Sequence, residues 1–408
     1  MKNLLPTAKE LYLSIFTAIS FSIFIYLAHF NIELKIIDTI AALTALYLLL
    51  HLDKKIVIYS GFFIGLLWFY WIGFSFRYYD LSWAMGFVSF GFGLIYALFF
   101  AILTITKKPL FRAVILFALS YFYPLDFNWM QLELIFIHSY IGIEKWQFIV
   151  VLLALALTDF KKNGYLKLAP LLLLLLTIDT TSTSPSELPL KVSLVQTDIS
   201  QDFKWQRDNL QNIIEENFKA IEEAIDDGSD LVVLPETAFS IYMNHNPHIH
   251  QRLIDYSHHI SIITGALYSE DGKFYNVSYH YMNGDFTIAK KTVLVPFGEY
   301  IPLPAFARDI LDKYIFKGGA DFTTASEPTI FNIKSYKIKN AICYEATRGE
   351  LYERDIEYMV AISNNSWFKP SIEPTLQELL IKFYAKKSKT TVYHSANGGG
   401  GGVIRSTP

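Results

Sequence analysis

Three residues with reactive side chains stand at the ends of apolar, strand-like runs: Glu236 after LVVLP, Lys291 before TVLVPFGE, and Cys343 after KNAI. A hydrophobic core would not choose a carboxylate, an amine or a thiol at those places. In sheet enzymes, sites gather where strands end and side chains can converge. Taken singly, each has an ordinary explanation: a surface Glu, a solvated Lys, a small buried Cys. Together they make a chemical set. A thiol is a poor nucleophile until it loses its proton. A partly desolvated carboxylate takes that proton as general base. An ammonium nearby favours the thiolate and stabilises the oxyanion formed on carbonyl attack. The set points to acyl transfer through a thioester on Cys343.

Other chemistries find less support. Cys343 is the one cysteine among 408 residues, so no internal disulfide is possible. The chain has no G-x-G-x-x-G, no Walker-type loop and no His/Cys cluster with metal-ligand spacing. His245, His248 and His250 fall close together in what reads as a loop, without a Cys or carboxylate framework. They are expected to be solvated there rather than to bind metal, and neither a metal nor a diffusible cofactor is expected. The net charge of −3 and the lack of a basic, aromatic-interleaved patch give no argument for nucleic acid.

The elements that must position these residues divide the chain sharply. Hydrophobic residues make up 52% and charged residues 18%, but the excess lies before about residue 180. Runs near 11–30, 36–52, 56–76 and 83–106 meet or approach the length of about 20 apolar residues that a bilayer-crossing helix needs. Shorter runs lie near 110–123, 146–158 and 166–178, for about seven spans in all. With a cytoplasmic N-terminus the inside segments carry ten basic residues: Lys2, Lys9, Lys54, Lys55, Lys107, Lys108, Arg112, Lys161, Lys162 and Lys167. The outside loops carry three: Lys35, Arg77 and Lys145. That asymmetry follows the positive-inside rule and puts everything after residue 188 on the outer side. Aromatics crowd 68–79 and would suit an outer interfacial belt. Lys2 and Lys9 could open a secretory signal, but no small-x-small cleavage site follows, so the first helix reads as uncleaved.

Residues 181–189 close a Ser/Thr/Pro-rich linker. Beyond it, from 190 to 408, strand-like and helical patterns alternate. VSLVQTD (192–198), LVVLPE (231–236), ISIITGALY (260–268), FYNVSYHYM (274–282), KIKNAICYE (337–345) and YMVAISNNSWF (358–368) read as strands. Residues 207–226 and 373–387 read as helices. The expected fold is a multi-span α-helical membrane domain over 1–180 and an α/β soluble domain whose sheet is covered by helices.

Five segments in order carry a family resemblance. LPETA (234–238), KTVLVPFGEYIP (291–302), AICYE (341–345), SNNSWF (363–368) and VQTDISQDFKW (195–205), behind a multi-span anchor, resemble the nitrilase (carbon–nitrogen hydrolase) superfamily. The match is specifically to its membrane branch, the apolipoprotein N-acyltransferases. The resemblance implies a nitrilase-like αββα sandwich with Glu236 as general base, Lys291 as catalytic lysine and Cys343 as nucleophile. It implies supporting roles for Glu299, Tyr344, Glu345 and Trp205.

It also implies a ping-pong reaction at the bacterial cytoplasmic (inner) membrane, with the catalytic domain on the periplasmic side. An acyl chain passes from a glycerophospholipid, typically phosphatidylethanolamine, to Cys343. It then passes to the free α-amine of a lipoprotein whose N-terminal cysteine carries diacylglycerol. Both substrates live in the bilayer, which explains a tethered site, and excluding water protects the thioester. Residues 300–324 are expected either to form a loop over the site, with Leu303, Phe306, Ile310, Leu311, Ile315 and Phe316 meeting acyl chains and Gly318 and Gly319 as a hinge, or to pack as an ordinary amphipathic helix.

Two departures from the family pattern stand out. That pattern continues past the ANG-like segment to a final membrane helix, whereas this sequence stops at Pro408, so the C-terminus is read as naturally short, altered or truncated. Five glycines, Gly398 to Gly402, favour a flexible backbone rather than a strand. Two other readings remain open. A membrane-tethered amidase would pass the thioester to water, although a hydrolase of soluble amides has no need of the membrane half. A catalytically inactive lipid-binding protein would ignore loss of Cys343.

Overall fold

The computed structural model describes residues 5–158, 167–180, 187–296, 299, 322–352 and 356–405. The chain divides into two compact units: Met1–Arg77 with Leu81–Ser182, and Thr183–Pro408 with Tyr78–Asp80.

The first unit is helical. Its helices are α1 (Ala8–His29), α2 (Lys35–His51), α3 (Lys54–Phe69), α4 (Met85–Ala101), α5 (Pro109–Leu119) and α6 (Lys145–Leu157). Helix α1 opens with a capping box: Thr7 Oγ1 accepts from the Glu10 N–H, and Glu10 Oε2 accepts from the Thr7 N–H at 2.7 Å. Helix α3 continues as a 3₁₀ segment (Tyr70–Tyr79). Among the described residues, Ala8–His29, Lys54–Tyr79 and Ser82–Ile105 are long and apolar enough to cross a bilayer. Helix α2, with 17 residues, falls just short of that length. The weaker runs form α5 with 11 residues, α6 with 13 and a 3₁₀ segment (Ala169–Thr177) with 9. The expected inside residues Lys2, Lys161 and Lys162 lie outside the described residues.

Hydrocarbon offers no hydrogen bonds, so helix ends must be satisfied internally. The buried Arg112 guanidinium does this for α2, donating to the carbonyls of Leu50 at 3.2 Å and Leu52 at 2.6 Å. Helices α3 and α4 touch backbone to backbone. A Cβ at Gly61 would stand 2.6 Å from the Tyr96 carbonyl oxygen, and one at Gly65 would stand 2.7 Å from that of Phe92. This is the small-xxx-small packing that lets helices associate without a hydrophobic drive. The unit's outward faces carry Ile19, Ile40, Phe87 and Leu98, each largely exposed, an apolar surface that suits lipid and not water.

The second unit holds two five-stranded sheets. The first runs β1 (Val192–Leu194), β2 (Leu231–Val233), β3 (Ser261–Glu270), β4 (Lys273–Met282), β5 (Asp285–Lys290), with β1, β2 and β3 parallel and the rest antiparallel. Helices α7 (Gln201–Lys204), α8 (Arg207–Asp226) and α9 (Pro247–Tyr256) fall between these strands in sequence. The second sheet runs β10 (Gly402–Ile404), β9 (Thr391–Asn397), β8 (Tyr358–Asn364), β7 (Tyr336–Ile342), β6 (Ile330–Ile333), its three middle strands parallel. Helix α10 (Glu373–Ser388) precedes β9.

Alternation along the strands builds the layers. Leu231 and Val233 face Ile338, Ile342, Val360 and Ile362 in a core between the sheets. Val232, with Leu234 and Ile262, turns the other way and packs on Phe218 and Ile221 of α8. Ala341, Met359 and Ala361 pack on Ile381 and Ala385 of α10. The unit is an αββα sandwich whose strands are covered on both faces.

Three local expectations are corrected. His248 and His250 stand on α9, not in a loop, because Asn246 and Pro247 start a helix there, and His250 Nδ1 lies 2.8 Å from the Tyr281 hydroxyl. The strand expected over 337–345 ends at Ile342, because Cys343 adopts φ 56° and opens a 3₁₀ turn. The glycine run is a built turn: Gly398, Gly399 and Gly400 have φ between 85° and 102°, Asn365 Nδ2 donates to the Gly399 carbonyl at 2.9 Å, and Gly402 begins β10.

Candidate active site

Glu236 and Lys291 hang from the first sheet, and Cys343 from the second. Glu236 follows β2 on the bend Leu234–Pro235–Glu236 and is 6% exposed. Gly265 on β3 makes room for that bend: a Cβ there would lie 2.4 Å from the Thr237 nitrogen and 2.7 Å from Glu236 Cα. Lys291 follows β5 at once, fixed by its N–H donating to the Asn276 carbonyl at 3.0 Å. Cys343 follows β7 in the left-handed region, which costs a non-glycine residue of order 1–3 kcal/mol and persists where surroundings impose it.

Lys291 is 1% exposed, and a buried ammonium needs partners. Its Nζ lies 2.7 Å from Glu299 Oε2 and 3.7 Å from Glu236 Oε1. Burial alone would strip its proton, but the Glu299 and Glu236 carboxylates more than reverse this and hold it charged. Asn276 Nδ2 donates to Glu236 Oε1 at 2.7 Å and to Glu299 Oε1 at 3.3 Å, tying the two acids together. Burial pushes the Cys343 thiol well up and the Glu236 carboxylate adds to this, while Lys291 pulls it down. At rest the sulfur therefore keeps its proton, within electrostatic reach of the Glu236 carboxylate and the Lys291 ammonium.

Glu345, two residues beyond the sulfur, clamps the two sheets together. Its Oε1 accepts from the Thr292 N–H and hydroxyl, both at 2.6 Å, and from the Val293 N–H at 3.1 Å. Its Oε2 accepts from the Ile342 N–H at 2.7 Å. One carboxylate thus fixes the residue before Cys343 and the two residues after Lys291. Tyr344 is buried, with Arg348 over its ring. Trp205 ends α7 with its ring 47% exposed, so it is not the core aromatic its type suggests. The expected loop residues from Leu303 to Gly319 lie outside the described residues.

Four residues that the sequence reading passed over also line this place. Asn276 was hidden inside an ordinary strand pattern. Lys204 is 2% exposed and donates to the Glu236 carbonyl at 3.0 Å; burial draws it down to about 8, with Glu236 opposing. On α10, the Gln377 amide nitrogen lies 3.8 Å from Cys343 Sγ. Glu373, one turn earlier, is 1% exposed. The available signal was polar residues four apart, a spacing that puts both on one helix face.

Comparisons with known proteins agree with this architecture. Residues 8–180 match the family described as Apolipoprotein N-acyltransferase integral membrane domain, and residues 191–402 match Carbon-nitrogen hydrolase. An apolipoprotein N-acyltransferase of Wolinella succinogenes is 42% identical over 397 residues, 97% of this chain and 96% of that protein. One of Campylobacter jejuni is 35% identical over 397 residues, covering 95% of this chain and 88% of its own. One of Helicobacter pylori is 33% identical over 342 residues, with 83% and 80% covered. A helical membrane domain, a sandwich of the carbon–nitrogen hydrolase kind and relatives matched along nearly their whole length lead to one assignment: the chain belongs to the apolipoprotein N-acyltransferase family.

Proposed function

We propose that Glu236, Lys291 and Cys343 form the catalytic triad of an N-acyltransferase working by ping-pong through a thioester. Glu236 takes the thiol proton, and the sulfur attacks the ester carbonyl of a glycerophospholipid, for which phosphatidylethanolamine is the proposed donor. Lys291 holds the thiolate and then the tetrahedral oxyanion. Loss of lysophospholipid leaves the acyl group on Cys343. The α-amine of an N-terminal diacylglyceryl-cysteine on a lipoprotein attacks next, forming the amide and releasing the thiol. Glu299, Tyr344 and Glu345 support the geometry, and Trp205 meets substrate in this reading. No metal or diffusible cofactor takes part.

The observation carrying this reading is the ammonium of Lys291, 3.7 Å from Glu236 and electrostatically coupled to Cys343. The excess of Lys and Arg in alternate loops supports a cytoplasmic N-terminus, with the catalytic domain, from about residue 190, on the outer side. The region up to residue 180 would then keep the enzyme in the bilayer, where both substrates reside.

Intact-mass analysis of purified protein incubated with phospholipid tests the chemistry. A gain of one acyl group is expected, absent in Cys343→Ala and slowed about 10²–10⁴-fold in Glu236→Gln, as for loss of a general base. A diacylated peptide should discharge the adduct. Wild-type protein that stays unmodified, or that releases ammonia from small amides, would count against the proposal.

A further inference from the structure

The carboxyl of Glu373 is the least explained polar group in the second unit. It is 1% exposed, and its Oε2 has no hydrogen-bond partner among the described residues. Leaving a buried carboxyl oxygen unpaired costs free energy that surface placement would avoid. Its location is not arbitrary. Glu373 is the first residue of α10, and Gln377 follows one turn later with its amide nitrogen 3.8 Å from Cys343 Sγ. The direction of that amide is set, because Gln377 Oε1 accepts from Asn365 Nδ2 at 3.0 Å and leaves the NH₂ to the sulfur. The same face of the helix therefore carries both residues toward Cys343; the Glu236 charge acts on Glu373, and the Glu373 charge acts on Cys343.

Two charged carboxyls in one dry site repel each other, so charging both is costly. Glu236 sits 3.7 Å from the Lys291 ammonium. Burial, with the Glu236 charge, keeps the proton on Glu373. When Glu236 accepts the thiol proton, its charge is gone and Glu373 becomes the stronger acid. Its place in the first turn of α10 then favours the carboxylate it leaves.

We propose that Glu373 is a second catalytic acid, protonating the alkoxide that leaves the donor ester and later accepting the proton of the incoming amine, while Gln377 steadies the sulfur. This rests on the Cys343 thioester reading. In the first half-reaction the S–H proton goes to Glu236, the C–S bond forms, the ester C–O bond breaks, and the Glu373 proton goes to the lysophospholipid oxygen. In the second, the neutral amine forms the C–N bond, its proton returns to Glu373, the C–S bond breaks, and Glu236 returns its proton to sulfur. Both carboxyls end as they began: the negative charge passes from Glu236 through the tetrahedral oxyanion to Glu373 in the first half-reaction, and back in the second.

A leaving group that departs without a proton separates a chemical role from a structural one. Single-turnover acylation of Cys343 by phosphatidylethanolamine is to be compared with acylation by a p-nitrophenyl ester of the same fatty acid, in wild type and Glu373→Gln. General-acid catalysis is worth about 10²–10⁴-fold, so E373Q should slow the phospholipid reaction at least 30-fold more than the activated one. Equal slowing of both donors, or of neither, would overturn the assignment. If E373Q fails to fold, Glu373→Asp serves in its place: the acid survives one methylene short, and the penalty must again fall mainly on the phospholipid. Wild type that is acylated by neither donor would instead sink the thioester reading on which this one stands.

Discussion

Lys291 meets Glu299 through both carboxylate oxygens, its Nζ lying 2.8 Å from Oε1 and 2.7 Å from Oε2. The pair is nearly dry, with side chains 1% and 14% exposed. Removing one partner of a buried ion pair leaves the other uncompensated, at a cost of about 3–5 kcal/mol. Lys291→Met and Glu299→Gln should each lower the thermal midpoint of the detergent-solubilised protein clearly. The double variant should be less damaged than the sum of the two, and strictly additive losses would show that the pair is not coupled.

Glu345 offers a different test because its four donors come from two sheets. Glu345→Gln keeps the shape but turns one acceptor into a donor, so at least one of the N–H groups of Thr292, Val293 or Ile342 loses its bond. The loss should be about 1–3 kcal/mol of stability. Acylation should fall about tenfold or more, since nucleophile and lysine shift relative to each other. Thermal melting with single-turnover acylation would show both; a variant that melts lower yet acylates at the wild-type rate would deny Glu345 its positioning role.

Lys204 gives a signature in pH. Burial lowers it from 10.5 to about 8, against the pull of Glu236. The unfolded chain keeps this proton up to the ordinary lysine range, whereas the folded protein lets it go near 8. Between those values the unfolded state binds more protons, so the Lys204 contribution to stability rises with pH. Wild type should therefore gain on Lys204→Met as the pH is raised from 8 toward 10. A difference in unfolding midpoint that stays constant over that window would contradict the assignment.

In the membrane unit, Gly61→Leu would drive a side chain into the Tyr96 carbonyl, where even a Cβ stands 2.6 Å away. Helices α3 and α4 would have to part, at a cost of about 1–3 kcal/mol. Lower yield and a lower melting midpoint in detergent are expected, while the same change at Gly86, whose Cβ meets nothing within 4 Å, should be tolerated.

Patterns of polarity carried much of this in the sequence. The 207–226 helix is amphipathic, and α8 has those bounds; LVV at the head of the apolar run LVVLP is a strand buried on both faces. Strand β9 was not legible, because TVYHSAN looks polar. Its residues are all buried, and its His, Ser and Asn side chains find partners on other strands or loops: His394 Nε2 lies 2.8 Å from the Ser363 hydroxyl, Ser395 donates to the Val195 carbonyl, and Asn397 donates to Asn364. Such partners lie about 30 or 200 positions away, and no local pattern announces them. The triad could be read because its members sit at strand ends in unusual company. Glu373 and Gln377 could not, because a helix carries polar residues everywhere and only the fold says which face is dry.

Because Glu236 and Lys291 belong to one layer of the sandwich and Cys343 to the other, the proposed triad would be complete only in the closed sandwich. A nascent or partly opened chain holds all three groups, yet its thiol is an ordinary one, with neither cation nor proton acceptor close by. Such a chain can lie against a bilayer full of esters without attacking them. On the proposed triad, reactivity would arrive only when the last layer closes, so the event that completes the protein would also arm it.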